Sequence, residues 1–364
     1  MQTGTRIPAI RQGNYLFLDA RVGERRVVLC LDSGAGIHVL TPEAAIRLGL
    51  LPPDAVKRNV TGTAATVAAQ QIHLSRLSVS GTALATTEAV AVALPPSLGC
   101  DGLLGYPLFA QFVVTLDYAA STVTLSAPEG FTAPAGSVSL PLKIDGNIPQ
   151  TQIELDGLAC WVELDTGSSG ELDLNAPFVE TNKLRERYSK RIAMPTGIGV
   201  GGVSYGEAAR AETLQIGPYR LAKPLIKLSQ QKSGADASAR TAGRLGGEIL
   251  SRFTVTFDYG HKRLYLTPNS RLTEPFVFTR SGLLPVFEES TWKVFGVLPD
   301  SPASEVGVTA DDQILTVDGR SANKLTIYTL SELLRRPPGT LIVLLLRAPS
   351  GRTRRVKLTL RELL

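Results

Sequence analysis

Two short stretches of this chain have the residue types and spacing of a chemical pair: Val28-Leu29-Cys30-Leu31-Asp32-Ser33-Gly34-Ala35 and Trp161-Val162-Glu163-Leu164-Asp165-Thr166-Gly167-Ser168. Each sets a carboxylate after apolar strand residues, on a tight loop whose glycine permits close backbone approach and whose hydroxyl can reach across to a partner loop. Alone, either triplet is an ordinary turn. Brought within a few ångströms of each other, Asp32 and Asp165 cannot both ionise easily, so one pKa rises and the two share a proton. Such a dyad activates a water on one side of a peptide carbonyl and protonates the developing oxyanion on the other, with no metal, cofactor or covalent intermediate required.

The elements that must position this pair are themselves written twice. Pro8 and Pro141, Gly13-Asn14 and Gly146-Asn147, and Asp32 and Asp165 all keep an offset of 133 residues, a gap-free register that indicates duplication. Each Gly-Asn turn opens a hairpin that feeds one aspartate loop. The copies also close alike: Gly102-Leu103-Leu104-Gly105 leads to Asp117-Tyr118, and Gly243-Arg244-Leu245-Gly246 leads to Asp258-Tyr259, at an offset of 141. The second copy therefore holds a net eight extra residues between its anchors, 141 less 133. Thr41, Pro42 and Gly49 frame a short helix after the first loop. A longer helix is expected after the second, over residues 178–191, with Lys183, Arg185, Arg187, Lys190 and Arg191 on a solvated face.

Composition bounds the rest. With 364 residues, 43% hydrophobic and 20% charged, 34 glycines and 23 prolines, the chain reads as a turn-rich, mainly β protein of several domains. The net charge of +5 is dispersed and does not call for a nucleic-acid partner. Cys30, Cys100 and Cys160 are too widely spaced for a disulfide framework or zinc site and read as small buried residues. The aliphatic run Leu341 to Leu346 is far short of the roughly 20 residues that cross a bilayer, so no transmembrane segment is expected. The N-terminus, Met1 to Arg6, has no export-signal pattern, which leaves either a cytoplasmic protein or one whose signal is not in this sequence.

Three patterns are set aside on context. Gly197, Gly199 and Gly202 fit G-x-G-x-x-G but are not followed by a helix start. Gly202-Val203-Ser204-Tyr205-Gly206 fits a nucleophile elbow but lacks strand, turn, helix and a partner histidine. His38, His73 and His261 make no metalloprotease motif; His38, six residues past Asp32, reads as a strand or cleft-edge residue.

The paired Leu-Asp-Ser-Gly-Ala and Leu-Asp-Thr-Gly-Ser loops, each with a later Leu-Gly and Asp-Tyr, resemble the retropepsin-like aspartic proteases over residues 7 to 267. That resemblance implies two pseudo-symmetric retropepsin- or pepsin-like β-barrel lobes, residues 1–135 and 136–270, fused in one chain. It implies Asp32 and Asp165 as catalytic residues, with Ser33, Gly34, Thr166 and Gly167 supporting the dyad. A flap is expected between the anchors of each lobe. The second lobe offers the glycine-rich tip with Gly199, Gly201, Gly202 and Tyr205; the first offers only Thr61-Gly62-Thr63-Ala64, without a pepsin-like flap tyrosine. Arg244 departs from the pattern, standing where the first lobe has Leu103, and a cation there either lowers an aspartate pKa or points outwards.

After Pro268 the repeat stops, and Thr273-Glu274-Pro275 reads as a linker. Leu298-Pro299-Asp300-Ser301-Pro302-Ala303 and Asp312-Gln313-Ile314-Leu315-Thr316-Val317-Asp318-Gly319, with a helix near Thr326 to Arg336 and strands from Leu341 and Arg354, look like a bacterial-type PDZ domain over residues 276–364. Such domains bind an extended peptide along a strand edge and capture its carboxyl terminus with backbone N–H groups. By resemblance Gly282, Leu283 and Leu284 form that loop, although Pro285 lacks an N–H. The expected activity is an aspartic endopeptidase acting on extended peptide or protein substrates, with the PDZ domain aiding recognition of substrate or partner, in an envelope or secreted setting. Two alternatives stay open: a catalytically inactive peptide-binding scaffold, and a protease active only after dimerisation.

Overall fold

The structure, a computed structural model, describes residues 4–52, 54–85 and 88–364. The chain divides into two units, one comprising Met1–Pro95, Cys100–Ser189 and Pro195–Pro275, the other Pro96–Gly99, Lys190–Met194 and Phe276–Leu364.

Alternation of side chains builds the first unit: in Tyr15–Val22 the residues Leu16, Leu18, Ala20 and Val22 point into the core while Asp19 and Arg21 face out. Among the described residues, each repeat forms a sheet of ten strands, and the two sheets have the same order. In the first, the path runs Lys57–Thr61, Thr66–His73, Glu88–Ala91, His38–Leu40, Gly102–Leu104, Arg25–Leu31, Tyr15–Val22, Leu77–Val79 and Thr82–Ala83. In the second it runs Arg191–Gly199, Gly202–Arg210, Leu225–Ser229, Leu172–Leu174, Gly243–Leu245, Leu158–Leu164, Ile148–Leu155, Thr213–Ile216 and Tyr219–Ala222. Duplication is thus present in the topology as well as in the letters.

A third sheet joins the repeats, in the order Thr5–Pro8, Thr122–Ser126, Val113–Asp117, Phe253–Asp258, Arg263–Pro268 and Val138–Pro141. At its centre Thr115 lies opposite Thr256, and their Oγ1 atoms are 2.8 Å apart. These residues carry the 141 offset, so the pseudo-twofold axis relating the repeats passes through this pair.

Thr41 caps the helix Pro42–Leu48 through the amide of Ala44, and Gly49 closes it in the left-handed conformation. The single longer helix expected in the second repeat is not formed. Two short helices, Ala176–Thr181 and Leu184–Arg187, flank Lys183, whose φ of 49° interrupts the hydrogen-bond ladder. The basic cluster is not one solvated helix face either: Arg185 pairs with Glu207 at 2.9 Å, and Arg191 begins a strand. Cys30 and Cys160 are buried but Cys100 is partly exposed, and all three are free thiols.

The segment after Pro268 is tied to the first unit. Arg252, fully buried, donates to the carbonyls of Arg271, Leu272 and Glu274, while the side chain of Arg271 reaches Ser251 Oγ at 2.6 Å. In the second unit the sheet order is Leu283–Glu288, Thr291–Val297, Gln313–Val317, Leu341–Arg347 and Thr353–Thr359. Helix Ile327–Leu334, capped by Thr326, buries Leu330, Leu333 and Leu334 in a core with Trp292, Val294, Ile314 and Leu344. Among the described residues no helix is long and apolar enough to cross a membrane.

Candidate active site

Each aspartate leaves the end of one strand, Arg25–Leu31 or Leu158–Leu164, and its amide donates to the strand that runs parallel beside it: Asp32 N to Leu104 O and Asp165 N to Leu245 O, both 3.0 Å. The hydroxyl neighbours then cross between the loops. Ser33 N donates to Thr166 Oγ1 at 2.9 Å and Thr166 N to Ser33 Oγ at 3.1 Å. The same hydroxyls donate onward, Ser33 Oγ to Leu164 O at 2.7 Å and Thr166 Oγ1 to Leu31 O at 2.9 Å. All four bonds are buried, where an unmade bond is costly, so each loop fixes the other.

This brace brings the carboxyl groups together. A Cβ added at Gly34 would lie 2.6 Å from Asp165 Cγ, and one at Gly167 would overlap the Asp32 carboxyl, so both positions are open only to glycine. The Asp32 carboxyl is pushed well above its usual range by burial first, then by the charge of Asp165 and by donating a hydrogen bond to it. Gly34 and Ala35 amides oppose that shift. Asp165 is also raised by burial, but the Arg244 cation, the hydrogen bond from Asp32 and the Gly167 amide, 2.8 Å from Oδ1, pull it back. Burial and mutual repulsion thus oppose ionisation of both carboxyls at once, and the cation acts on the Asp165 side. Asp32 Oδ1 has no hydrogen-bond partner among the described residues.

Arg244 points inwards. Its Nε lies 3.3 Å from Asp165 Oδ2, and its Nη2 donates to Asp236 Oδ1 at 2.6 Å. Asp236, in the turn Ala235–Ala237, had no signal in the sequence beyond lying in the longer second copy. Ala91 and Leu228 hold equivalent sheet positions at an offset of 137, against 141 for Leu104 and Leu245, so four of the extra residues lie in the loop that carries Asp236.

That loop also meets the first repeat. Strands Lys57–Thr61 and Thr66–His73 form a hairpin whose tip contains Gly62, Thr63 and Ala64. Its carbonyls accept from the second repeat: Gly62 O from Ala235 N at 2.9 Å, Thr63 O from Asp236 N at 3.2 Å and Ala64 O from Ser233 Oγ at 2.8 Å. The glycine-rich stretch of the second repeat is a hairpin too, with Gly201 and Gly202 at positive φ and Gly199 ending its first strand. The two tips pack together: a Cβ at Gly62 would run into the Val200 carbonyl, and one at Gly199 would lie 2.7 Å from Thr63 Oγ1. Tyr205 stands on the outgoing strand with its ring half exposed.

Two asparagines that read only as turn residues reach across the repeats. Asn14 Nδ2 donates to Ser169 O at 3.2 Å, and Asn147 Nδ2 donates to Gly36 O at 3.1 Å. Both donors and both acceptors differ by 133, so the register contained this brace, but a turn role already accounted for the residues. His38 is buried on a strand, its Nδ1 accepts from Gly105 N at 3.2 Å, and burial lowers its pKa to about 4. Ser204, of the nucleophile-elbow pattern, lies buried within the strand Gly202–Arg210.

In the second unit, Gly282 has φ 77° and packs against Ser301, and Leu283 is buried. The Leu283 amide donates to Ser281 Oγ at 3.1 Å, so it is engaged within the unit. Leu284 stands at a bulge in Leu283–Glu288, which is an edge strand, and the next residue, Pro285, has no N–H.

Paired sheets joined across a pseudo-twofold axis, with an aspartate loop from each braced against the other, define a β-rich protease fold. Residues 18–108 match the aspartyl protease family and residues 294–348 match the PDZ domain family, so the chain carries an aspartyl protease domain and, towards its C-terminus, a PDZ domain. Among solved structures, a photosystem II D1 C-terminal processing protease matches at 30% identity and a TM-score of 0.23, over 24% of this chain and 24% of that one. The chain thus aligns with about a quarter of that protein's length. No curated protein matches. The second repeat lies outside both matched ranges, and its kinship to the first rests on the 133-residue register and the shared sheet order.

Proposed function

We propose that this protein is an aspartic-type endopeptidase that hydrolyses extended polypeptides with Asp32 and Asp165 as its water-activating pair. One observation carries the reading: the reciprocal Ser33–Thr166 brace holds two carboxyl groups together although burial raises the pKa of both. Such perturbed pairs are characteristic of catalytic sites.

In the first step the carboxylate of the pair takes a proton from water while the water oxygen bonds to the peptide carbonyl carbon. The protonated member gives its proton to the carbonyl oxygen, and a neutral gem-diol results. In the second step the newly protonated member protonates the amide nitrogen, its partner takes a proton from one hydroxyl, and the C–N bond breaks. Carboxylic acid and amine leave, and the pair regains its starting protonation. The hairpin tips at Gly62 and at Gly199, Gly201 and Gly202 are the flaps that close over substrate, with Tyr205 beside the second.

For the PDZ domain we propose peptide addition along the edge strand that begins at Leu283. Gly282, Leu283 and Leu284 shape the start of that edge. Because the Leu283 amide is engaged and Pro285 has none, the ligand pairs through its strand more than through a captured carboxylate.

Asp32→Asn and Asp165→Asn should each lower kcat/KM on an unfolded protein at mildly acid pH by about 100- to 10,000-fold, with circular dichroism unchanged. Undiminished cleavage by either folded variant would sink the shared-dyad reading.

A further inference from the structure

The two repeats differ at the dyad itself, because Arg244 occupies the strand position that Leu103 holds in the first repeat. We propose that Arg244 is a positioning residue that keeps Asp165 ionised and leaves the shared proton on Asp32, making Asp165 the base and Asp32 the acid and extending the working range to lower pH. This rests on the peptidase reading above.

Arg244 is buried between two carboxylates, with Nε 3.3 Å from Asp165 Oδ2 and Nη2 2.6 Å from Asp236 Oδ1. A buried guanidinium is retained only where carboxylates surround it, and Glu163 and Asp173 complete the set. Asp173 lies 3.9 Å from Arg244 Nη2 and is itself paired with Lys227 at 3.3 Å. The pair is also faced by Tyr15, Cys30, Cys100 and Tyr118 of the first repeat and by Tyr259 of the second, all held neutral because burial raises each of them. Asp32 forms no ion pair among the described residues. The cation thus stands on one side of the pair only, and an opposite charge at this range favours the ionised form of the carboxyl it touches. Asp236 also acts on the first hairpin: its amide donates to Thr63 O at the tip, so the residue that anchors Arg244 also holds that tip.

Removing Arg244 alone would strand the buried Asp236, so the informative variant is the neutral pair Arg244→Gln/Asp236→Asn in the full chain. Two readouts apply: kcat/KM against pH on an internally quenched peptide, and 13C carboxyl NMR titration of Asp32 and Asp165. Loss of the cation raises the pKa of Asp165, so the acid limb should move up by about one to three pH units, with Arg244→Lys in between. The Asp165 resonance should move with it. An acid limb and an Asp165 titration that both stay in place in the folded variant would overturn the proposal. Should the wild-type chain cleave no peptide at any pH, the peptidase reading fails by itself. The NMR titration then decides the inference: Asp165 ionising below Asp32 in the wild type, and later in the variant, sustains it, and equal titration overturns it.

Discussion

At the scale of the residue, Thr166 shows how little freedom the site has. Its hydroxyl accepts from Ser33 N and donates to Leu31 O, and its amide donates to Ser33 Oγ. Thr166→Ala leaves the Ser33 amide buried without its partner, at a cost of about 1–3 kcal/mol, and leaves the Leu31 carbonyl only the weak donor Cys30 Sγ at 3.7 Å. Thr166→Ser keeps both bonds. Urea denaturation should therefore separate the two variants by at least about 1 kcal/mol, and equal stability would mean that the brace relaxes onto other partners. The aspartate, hydroxyl and glycine types were legible from Leu-Asp-Ser-Gly and Leu-Asp-Thr-Gly because short loop chemistry is local. The direction of Arg244 was not. A long side chain on a strand turns towards whichever charges converge on it, and Asp165 and Asp236 lie 79 and eight positions away in the chain.

At the scale of the element, the strands, the capped helix Pro42–Leu48 and the hairpins at Gly13 and Gly146 follow from alternation, caps and turn residues. The broken helix around Lys183 does not, since its pattern of charges and apolar residues is compatible with one helix or two. The first hairpin tip also lacked a strong sequence signature: Thr61-Gly62-Thr63-Ala64 has one glycine and no aromatic. Its role is set by the segments that meet it. Gly62→Ala would push the tip away from Val200 and weaken the bond from Ala235 N to Gly62 O. Amide exchange at Ala235 and Asp236 should speed up and kcat/KM fall by about tenfold or more, as expected when a closing element is misplaced. Unchanged exchange at both amides would show that the tips do not depend on this contact.

At the scale of the whole molecule, the catalytic proposal needs only the first unit, because Asp32, Asp165, Arg244, Asp236 and both hairpin tips belong to it. A chain ending at Pro275 should fold and cleave short peptides, with its change confined to substrate choice. A chain ending at Pro268 should be less stable by about 3 kcal/mol, because buried Arg252 loses the carbonyls of Arg271, Leu272 and Glu274. Comparing the thermal transitions and short-peptide turnover of the two truncations tests this; equal stability would show that the segment after Pro268 is only a tether.

The sequence by itself determined that the chain is duplicated, that each copy ends a strand in an aspartate loop, and that a smaller unit with PDZ features follows. Those are properties of periodicity and local turn chemistry, which survive translation into structure because each is satisfied within a few residues. Only the tertiary structure decided that Arg244 faces Asp165, that Asn14 and Asn147 cross between repeats, and that the hairpin at Gly62 is held by the loop carrying Asp236. Each of these joins residues from opposite repeats or from strands far apart along the chain. Their partners are chosen by the packing of one sheet against another, where burial makes every unmet charge or hydrogen bond costly, and no local pattern records that choice.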